Sequence, residues 1–542
     1  MKNLHTADVI VFLIYLAAVA GYGYYIHRRR QGGGSKEFFL AEGSLTWWAI
    51  GASIIASNIS AEHFIGMSGS GFALGLAIAS YEWMAAAALI VVAVVFIPLY
   101  RENGIYTMPQ FLAKRYNNHV STIMAVWWLL IYVFVNLTSI IYLGALAIHS
   151  VTGISFIVCI AGLVIFSILV TLGGMNVIGY TDVVQVLVLI IGGLVTTYLA
   201  LVLVSASFGY ESNVFTGLRL IGEKADSHLH MIFNSDHPYY SDLPGLSVII
   251  GGMWINNLNY FGCNQYITQR ALGADIKAAR KGLLFAAYLK LFIPVIAVLP
   301  GIAVWVLYQN GAFQAEMLDA SGVVKPDHAY PTLLSLLPPG MKGLAFAALT
   351  AAIVASLAGK ANSISTIFTL DIYKKFLNKE ASEKNLVFTG RWTVVVSLGL
   401  AALVAPALQT LDQAYQFVQE YVGFISPGVL GIFLLGFFWK RTTSGAALMA
   451  ALLTVPLSAF LKFLPAWSGG WFPDLPFMDR MTLTFFILIA LMILMSLMSP
   501  ATAIPHDRIL KIERSYFKVG MPFVISSIVI LGILTAIYVS YW

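Results

Sequence analysis

Hydrophobic and polar positions alternate along this chain on the scale of a bilayer rather than of a helix face. Apolar runs of roughly twenty residues, the length a helix needs to cross about 30 Å of hydrocarbon, recur from end to end. They fall near 6–27, 45–71, 74–100, 121–150, 153–173, 180–206, 243–268, 280–308, 341–373, 388–407, 412–438, 443–464, 479–499 and 519–541, which predicts about fourteen transmembrane helices. The first run has full spanning length, only Lys2 ahead of it and Arg28, Arg29 and Arg30 at its end. Without a small-residue cleavage pattern it reads as a retained helix rather than a signal segment.

Two runs break the apolar pattern. In the second, Ser57, Asn58, Ser60, Glu62, His63, Gly66, Ser68 and Gly69 crowd into the half nearest the next span. In the seventh, Asn256, Asn257 and Asn259 stand where a lipid-facing helix would carry leucine. Freed backbone groups and a carboxylate survive at membrane depth only where protein or a water-filled cavity satisfies them. The two spans are five helices apart and thread the membrane in opposite directions, as an inverted five-plus-five repeat requires. The site of action is expected between them.

Composition and charge narrow the class. The chain is 59% hydrophobic and 10% charged, against roughly 25% charged in soluble domains. The net charge of +6 sits in short loops rather than on one face, which excludes nucleic acid as a partner. Twenty-two of the 31 Lys and Arg fall in segments 28–36, 101–115, 270–281, 374–391, 440–441 and 508–518, which all share one side; seven fall on the other, and Lys290 and Lys360 lie within spans. The positive-inside rule then places both termini, and the long segments 207–242 and 309–340, outside. Those segments read as loops with short surface helices. Cys159 and Cys263 both lie in apolar runs, so no disulfide framework is available. No HxxxH or HExxH spacing occurs within a span, so an enzyme is not expected.

Several motifs converge on one resemblance. SNISAEHFIGMSG at 57–69, ASYEW at 79–83, GIYTMPQFL at 104–112, FVNLTS at 134–139, TDVVQ at 181–185, NQYITQR at 264–270, NSISTIFTLDIY at 362–373 and QFVQEY at 416–421 together resemble the sodium/solute symporter family. Within it they are most similar to the bacterial sodium/galactose and animal sodium/glucose cotransporters. The resemblance implies an all-α integral membrane protein of the leucine-transporter type. Residues 1–542 form one transporter domain: an extra helix at 6–27, a first repeat at 45–206, an inverted second repeat at 243–438 and C-terminal helices at 443–541. It further implies sodium-coupled symport of a neutral monosaccharide, galactose or glucose, by alternating access across the plasma membrane, the inner one in a bacterium.

The family's sugar contacts carry over to His63, Glu82, Asn257, Lys290 and Gln419, with Tyr260 stacking on the ring. Its gates carry over to Met67, Tyr81, Tyr415 and Phe261. The set suits a neutral polyol, which needs bidentate hydrogen-bonding side chains and a flat apolar face. His63 stands where the bacterial galactose carriers have glutamine, and Ala85 where they have serine. Each residue also has a plainer reading. Lys290 can snorkel, Tyr260 and Phe261 can be core aromatics, and Gln419 can bond a neighbouring helix. Glu82 is harder to set aside, because an unpaired carboxylate at that depth costs on the order of 3 kcal/mol. Pairing with Lys290 would compensate both charges.

For sodium, the coupling ion, the resemblance implies carbonyls at Ala56, Ile59 and Ala352, the Ser356 hydroxyl, and Asp182 on the exit route. The family's second hydroxyl is replaced by Ala355, which leaves four protein ligands where a hard cation takes more. Lys360 lies four residues after Ser356 on the same face. Two readings are open: it pairs with Asp182, or its ammonium stands in for sodium, making transport proton-coupled or sodium-independent. A non-transporting sugar sensor fits the same motifs. So does a carrier of another solute, although Glu82 disfavours anions.

Overall fold

The computed structural model describes residues 5–29, 46–172, 174–318, 322–410, 414–500, 505 and 508–542. Lys2, Arg30, Lys36, residue 45 of the second expected span and residues 412–413 of the eleventh lie outside them. The described residues are helical apart from connections and one isolated bridge, Leu318 to Val324. Ten helices among them are long and apolar enough to cross a membrane, or eleven if the bent pair Tyr415–Gly423 and Ser426–Phe438, 44° apart, is one span. The expected fourteen are not matched one for one. Run 153–173 holds a helix of only 16 residues, Phe156–Thr171, and runs 45–71 and 243–268 are built from shorter pieces.

In chain order, α1 is Thr6–Arg29 and α2 is Trp47–Asn58. Helix α2 stops because Ile59 turns extended, at φ −76° and ψ 122°. The chain resumes as a wide π-helical turn, Glu62–Met67, then α3, Ser68–Leu74, and α4, Ser80–Val91. The long α5 is Gly174–Ser207 and α6 is Val214–Lys224. The seventh expected span is also broken, into a π-turn Val248–Gly252, α7 at Met253–Gly262 and α8 at Gln265–Leu272, with Asn264 extended between them. Then come α9, Ile276–Gln309, and α10, Met341–Thr366. Last are α11, Ala414–Gly423, α12, Ser426–Phe438, α13, Ser444–Trp467, and α14, Phe477–Met498.

Helix α9 is the spine, lying against α2, α3, α4 and α5, while α10 packs on α2 and α5. The approach of α9 to α3 depends on Gly301, where an added Cβ would fall 1.9 Å from the Ser68 carbonyl oxygen. At Gly75, φ is +74° and an added Cβ would meet the His228 carbonyl oxygen at 2.1 Å, so the segment 207–242 seats directly on the turn after α3. Segment 207–242 does carry a surface helix: α6 buries Leu220 and Ile221 and leaves Phe215 80% exposed. At the other end of the bundle, the Arg115 guanidinium donates to the carbonyls of Gly436, Trp439 and Thr442. It thereby takes one of the last carbonyls of α12 and two in the turn beyond it.

Candidate functional site

Breaking α2 exposes its last carbonyls, because residues beyond Asn58 no longer supply helical N–H donors. Ser60 closes the gap: its hydroxyl accepts from the Glu62 amide and donates to Glu62 Oε2, both at 3.1 Å. Glu62 is thus fixed at the start of the π-turn, and Ser139 donates to its other oxygen. Since α4 and α9 pack side by side, their polar residues meet beside this break. Lys290 on α9 donates to Glu82 Oε2 on α4 at 2.6 Å and also to the Asn58 side-chain oxygen. His63 Nε2 lies 3.3 Å from the other Glu82 oxygen. The compensation of Glu82 by Lys290 expected from the sequence is present, and both are under 5% exposed.

These groups line a small polar cavity of about 50 Å³, a volume well below that of a site holding a bound solute. One end is closed by Tyr81 and Tyr415, edge to face at 5.4 Å, with the Tyr81 hydroxyl donating to Gln416. The other end holds Tyr260, whose hydroxyl accepts from Asn58 Nδ2 at 2.9 Å and from the Tyr266 hydroxyl. Its charged lining residues are Glu62, Glu82, Lys290 and Lys360, whose formal charges cancel, and His63 and three tyrosines add rings. Asn256 Nδ2 donates to Gln419 at 3.1 Å. The Asn257 Nδ2 and Asn256 Oδ1 atoms are buried without a protein partner. A buried amide left so is costly unless something else meets it.

His63, Glu82, Asn257, Lys290, Gln419, Tyr260, Phe261, Tyr81 and Tyr415 all reach this one cavity. Met67 and Ala85 are buried but do not line it. Below it, the Ser356 hydroxyl on α10 faces the carbonyl oxygens of Ile59, Ser57 and Ala56 at 3.0, 3.1 and 3.4 Å. One hydroxyl hydrogen satisfies one acceptor at a time, so the cluster is rich in unshared oxygen lone pairs, the donor set a hard cation prefers. Ala352 is buried one turn before Ser356, and Ala355 adds no oxygen.

One expected pairing is corrected. Lys360 does not meet Asp182; its Nζ lies 3.7 Å from Glu62 Oε2 and 5.5 Å from the Tyr266 ring. Asp182 is occupied from the other side by Arg270, 3.7 Å away, and by Ser53, which donates to it at 2.6 Å. Arg270, which the sequence groups with the basic segment 270–281, instead lies in α8 and is 1% exposed. Sequence reasoning also passed over Asn58, Asn136 and Asn256 as site residues. Their signal was the same as for Asn257, an amide inside an apolar run.

The model of the sodium:solute symporter family matches residues 38–454. The chain is 44% identical to the sodium/glucose cotransporter of Vibrio parahaemolyticus, covering 100% of this chain and 99% of that one. It is 33% identical to the sodium/myo-inositol cotransporter 2 of Bos taurus, covering 83% of this chain and 69% of that one. To the sodium/glucose cotransporter 1 of Oryctolagus cuniculus it is 31% identical, with 83% and 70% covered. Among solved structures it is similar to a substrate-bound, outward-open Na+-coupled sialic acid symporter, with a TM-score of 0.75 at 23% identity over 92% of this chain and 99% of that one. It is also similar to MHP1, a nucleobase-cation-symport-1 family transporter, with a TM-score of 0.50 at 15% identity over 88% and 98%. These likenesses bear out the all-α, leucine-transporter-type fold.

Proposed function

The chain belongs to the sodium:solute symporter family, a family of multi-pass transporters rather than enzymes, and on that premise we propose that its cargo is a neutral polyol, galactose or glucose, taken up with sodium. The observation that carries this reading is the cancellation of charge around the cavity. With Glu62 and Glu82 offset by Lys290 and Lys360, a neutral solute enters without leaving a net charge buried, whereas an anion or cation would. The unpartnered amide of Asn257 and the Glu82–Lys290 pair then meet hydroxyls, while Tyr260 offers a face to the C–H side of the ring.

Sodium is the coupling ion. In this reading it enters between the carbonyls of Ala56, Ile59 and Ala352 and the Ser356 hydroxyl, joining α10 to the broken second span and so shaping the solute cavity. The Tyr81 and Tyr415 end admits solute from outside, and the Tyr260 and Phe261 end releases it inside. Asp182 lines the path by which sodium leaves. The inward driving force is worth about 2.3 kcal/mol per charge for each 100 mV of membrane potential. The repeats are 45–206 and 243–438, in a bacterial inner membrane with both termini outside.

Competition against labelled galactose tests the charge argument. Glucose and myo-inositol are expected to compete, and galacturonate and sialic acid are expected not to. Equal competition by the two acids would overturn it.

A further inference from the structure

Two connections join α10 to the broken second span, and they run side by side. The first is Ser356, whose hydroxyl sits 3.0 Å from the Ile59 carbonyl oxygen. The second is Lys360, four residues later on the same face, with Nζ 3.7 Å from Glu62 Oε2. Four residues correspond to a rise of about 6 Å along the helix. On the opposite side, Ile59 and Glu62 lie three residues apart across the break. An ion held by Ser356 and these carbonyls therefore bridges the same two segments that the Lys360–Glu62 pair already bridges.

A bound ion orders a site only by the difference in its affinity for the ordered and disordered arrangements. Sodium has that difference because its ligands come from both segments. The Lys360 ammonium has it too, since it reaches Glu62 only when the segments are together. It is covalently attached, so it needs no ion from solution. Glu62 is independently fixed by Ser60 at 3.1 Å and by Ser139, which gives the ammonium a stationary partner. The Lys360 Nζ also lies against the Tyr266 ring at 5.5 Å, and the Tyr266 hydroxyl meets that of Tyr260 at the solute cavity.

We infer that the Lys360–Glu62 pair is a built-in ionic staple that performs part of the ordering otherwise left to sodium, so that solute binds without the ion and sodium tightens it only weakly. Lys360 is a positioning residue in this scheme, acting through Glu62 and Tyr266. The inference rests on the sodium and polyol reading above. Couplings between two ligands usually span about 5- to 150-fold in affinity, and the staple places this chain at the low end.

The test is equilibrium binding of labelled galactose to the purified full chain in lipid nanodiscs, with sodium and with an inert organic cation in its place. The unaltered chain is expected to bind in both, with sodium improving the dissociation constant by less than about fivefold. The charge-neutral double variant Glu62→Gln/Lys360→Met is expected to bind more than about twentyfold more weakly without sodium than it does at saturating sodium. A ratio unchanged by the double variant overturns the staple. Should that variant bind nothing, the swapped pair Glu62→Lys/Lys360→Glu decides. Weak sodium dependence there supports the staple, and strong dependence or no binding overturns it. Failure of the unaltered chain to bind galactose, glucose or myo-inositol with sodium present would instead overturn the cargo assignment.

Discussion

Glu82 and Lys290 are 208 residues apart in sequence and 2.6 Å apart in space, where they hold α4 to α9 at the wall of the polar cavity. Breaking a buried pair by removing one partner costs about 3–5 kcal/mol, because the other charge is left uncompensated. Glu82→Gln is therefore expected to lower the thermal midpoint and abolish galactose binding. The double variant Glu82→Gln/Lys290→Met is expected to recover the midpoint but not the binding. Thermal unfolding and a binding isotherm on the same samples check this, and a double variant that binds normally would refute a role for the pair in holding solute.

The cation cluster yields a prediction in both directions. Ser356→Ala removes the one α10 hydroxyl facing the carbonyls of Ala56, Ser57 and Ile59. It is expected to raise the sodium concentration for half-maximal uptake at least about tenfold, since hard cations need their full oxygen count. Ala355→Ser adds a hydroxyl beside it and is expected to lower that concentration several-fold. Sodium titration of uptake in the two variants checks both signs.

Much of this arrangement was legible in the sequence. The break at Ile59 and the polar seventh span announced themselves as amides, serines and a carboxylate inside apolar runs, and such runs must be satisfied by protein or water. The pairing of Glu82 with Lys290 followed from the cost of leaving either alone. Partner choice among the remaining charges was not legible. Lys360, Arg270, Asp182 and Glu62 could pair in more than one way, and helical spacing places Lys360 below Ser356 without saying which neighbour it faces. The structure decides because α8 brings Arg270 to Asp182, leaving Glu62 for Lys360. Arg270 was misplaced because a charge near a span's end looks like a loop residue until the break at Asn264 folds it inward.

In the segment 207–242, pH dependence is expected from Asp242. Its carboxyl is pushed up from 3.8 to about 6 by burial and by the nearby Glu420, which itself bridges Arg480 at 2.6 Å and Lys462 at 3.0 Å. The folded chain holds this proton more tightly than the unfolded chain does. Its contribution to stability therefore grows as pH falls through about 6 and is lost again as pH rises. Asp242→Asn is expected to raise the thermal midpoint at neutral pH and flatten its rise between pH 7 and 5. An unchanged slope in the variant would assign the dependence elsewhere.

Packing at the spine makes a separate prediction. Gly301→Ala would set a methyl 1.9 Å from the Ser68 carbonyl oxygen, and overpacking a close helix crossing costs about 1–3 kcal/mol or more. A lower yield of monodisperse protein is expected. Gly222→Ala, with nothing within 4 Å of the added carbon, is expected to behave as the unaltered chain. Size-exclusion profiles of the two compare them directly.

The proposed function turns on the movement of a neutral polyol together with sodium. The measurement that tests it is uptake of labelled galactose and glucose into proteoliposomes, under an inward sodium gradient, with potassium in its place, and under an inward proton gradient. Concentrative uptake of at least one sugar is expected with sodium alone, and no accumulation above equilibrium with potassium or protons. Accumulation driven by protons, or equal uptake under all three conditions, would contradict it.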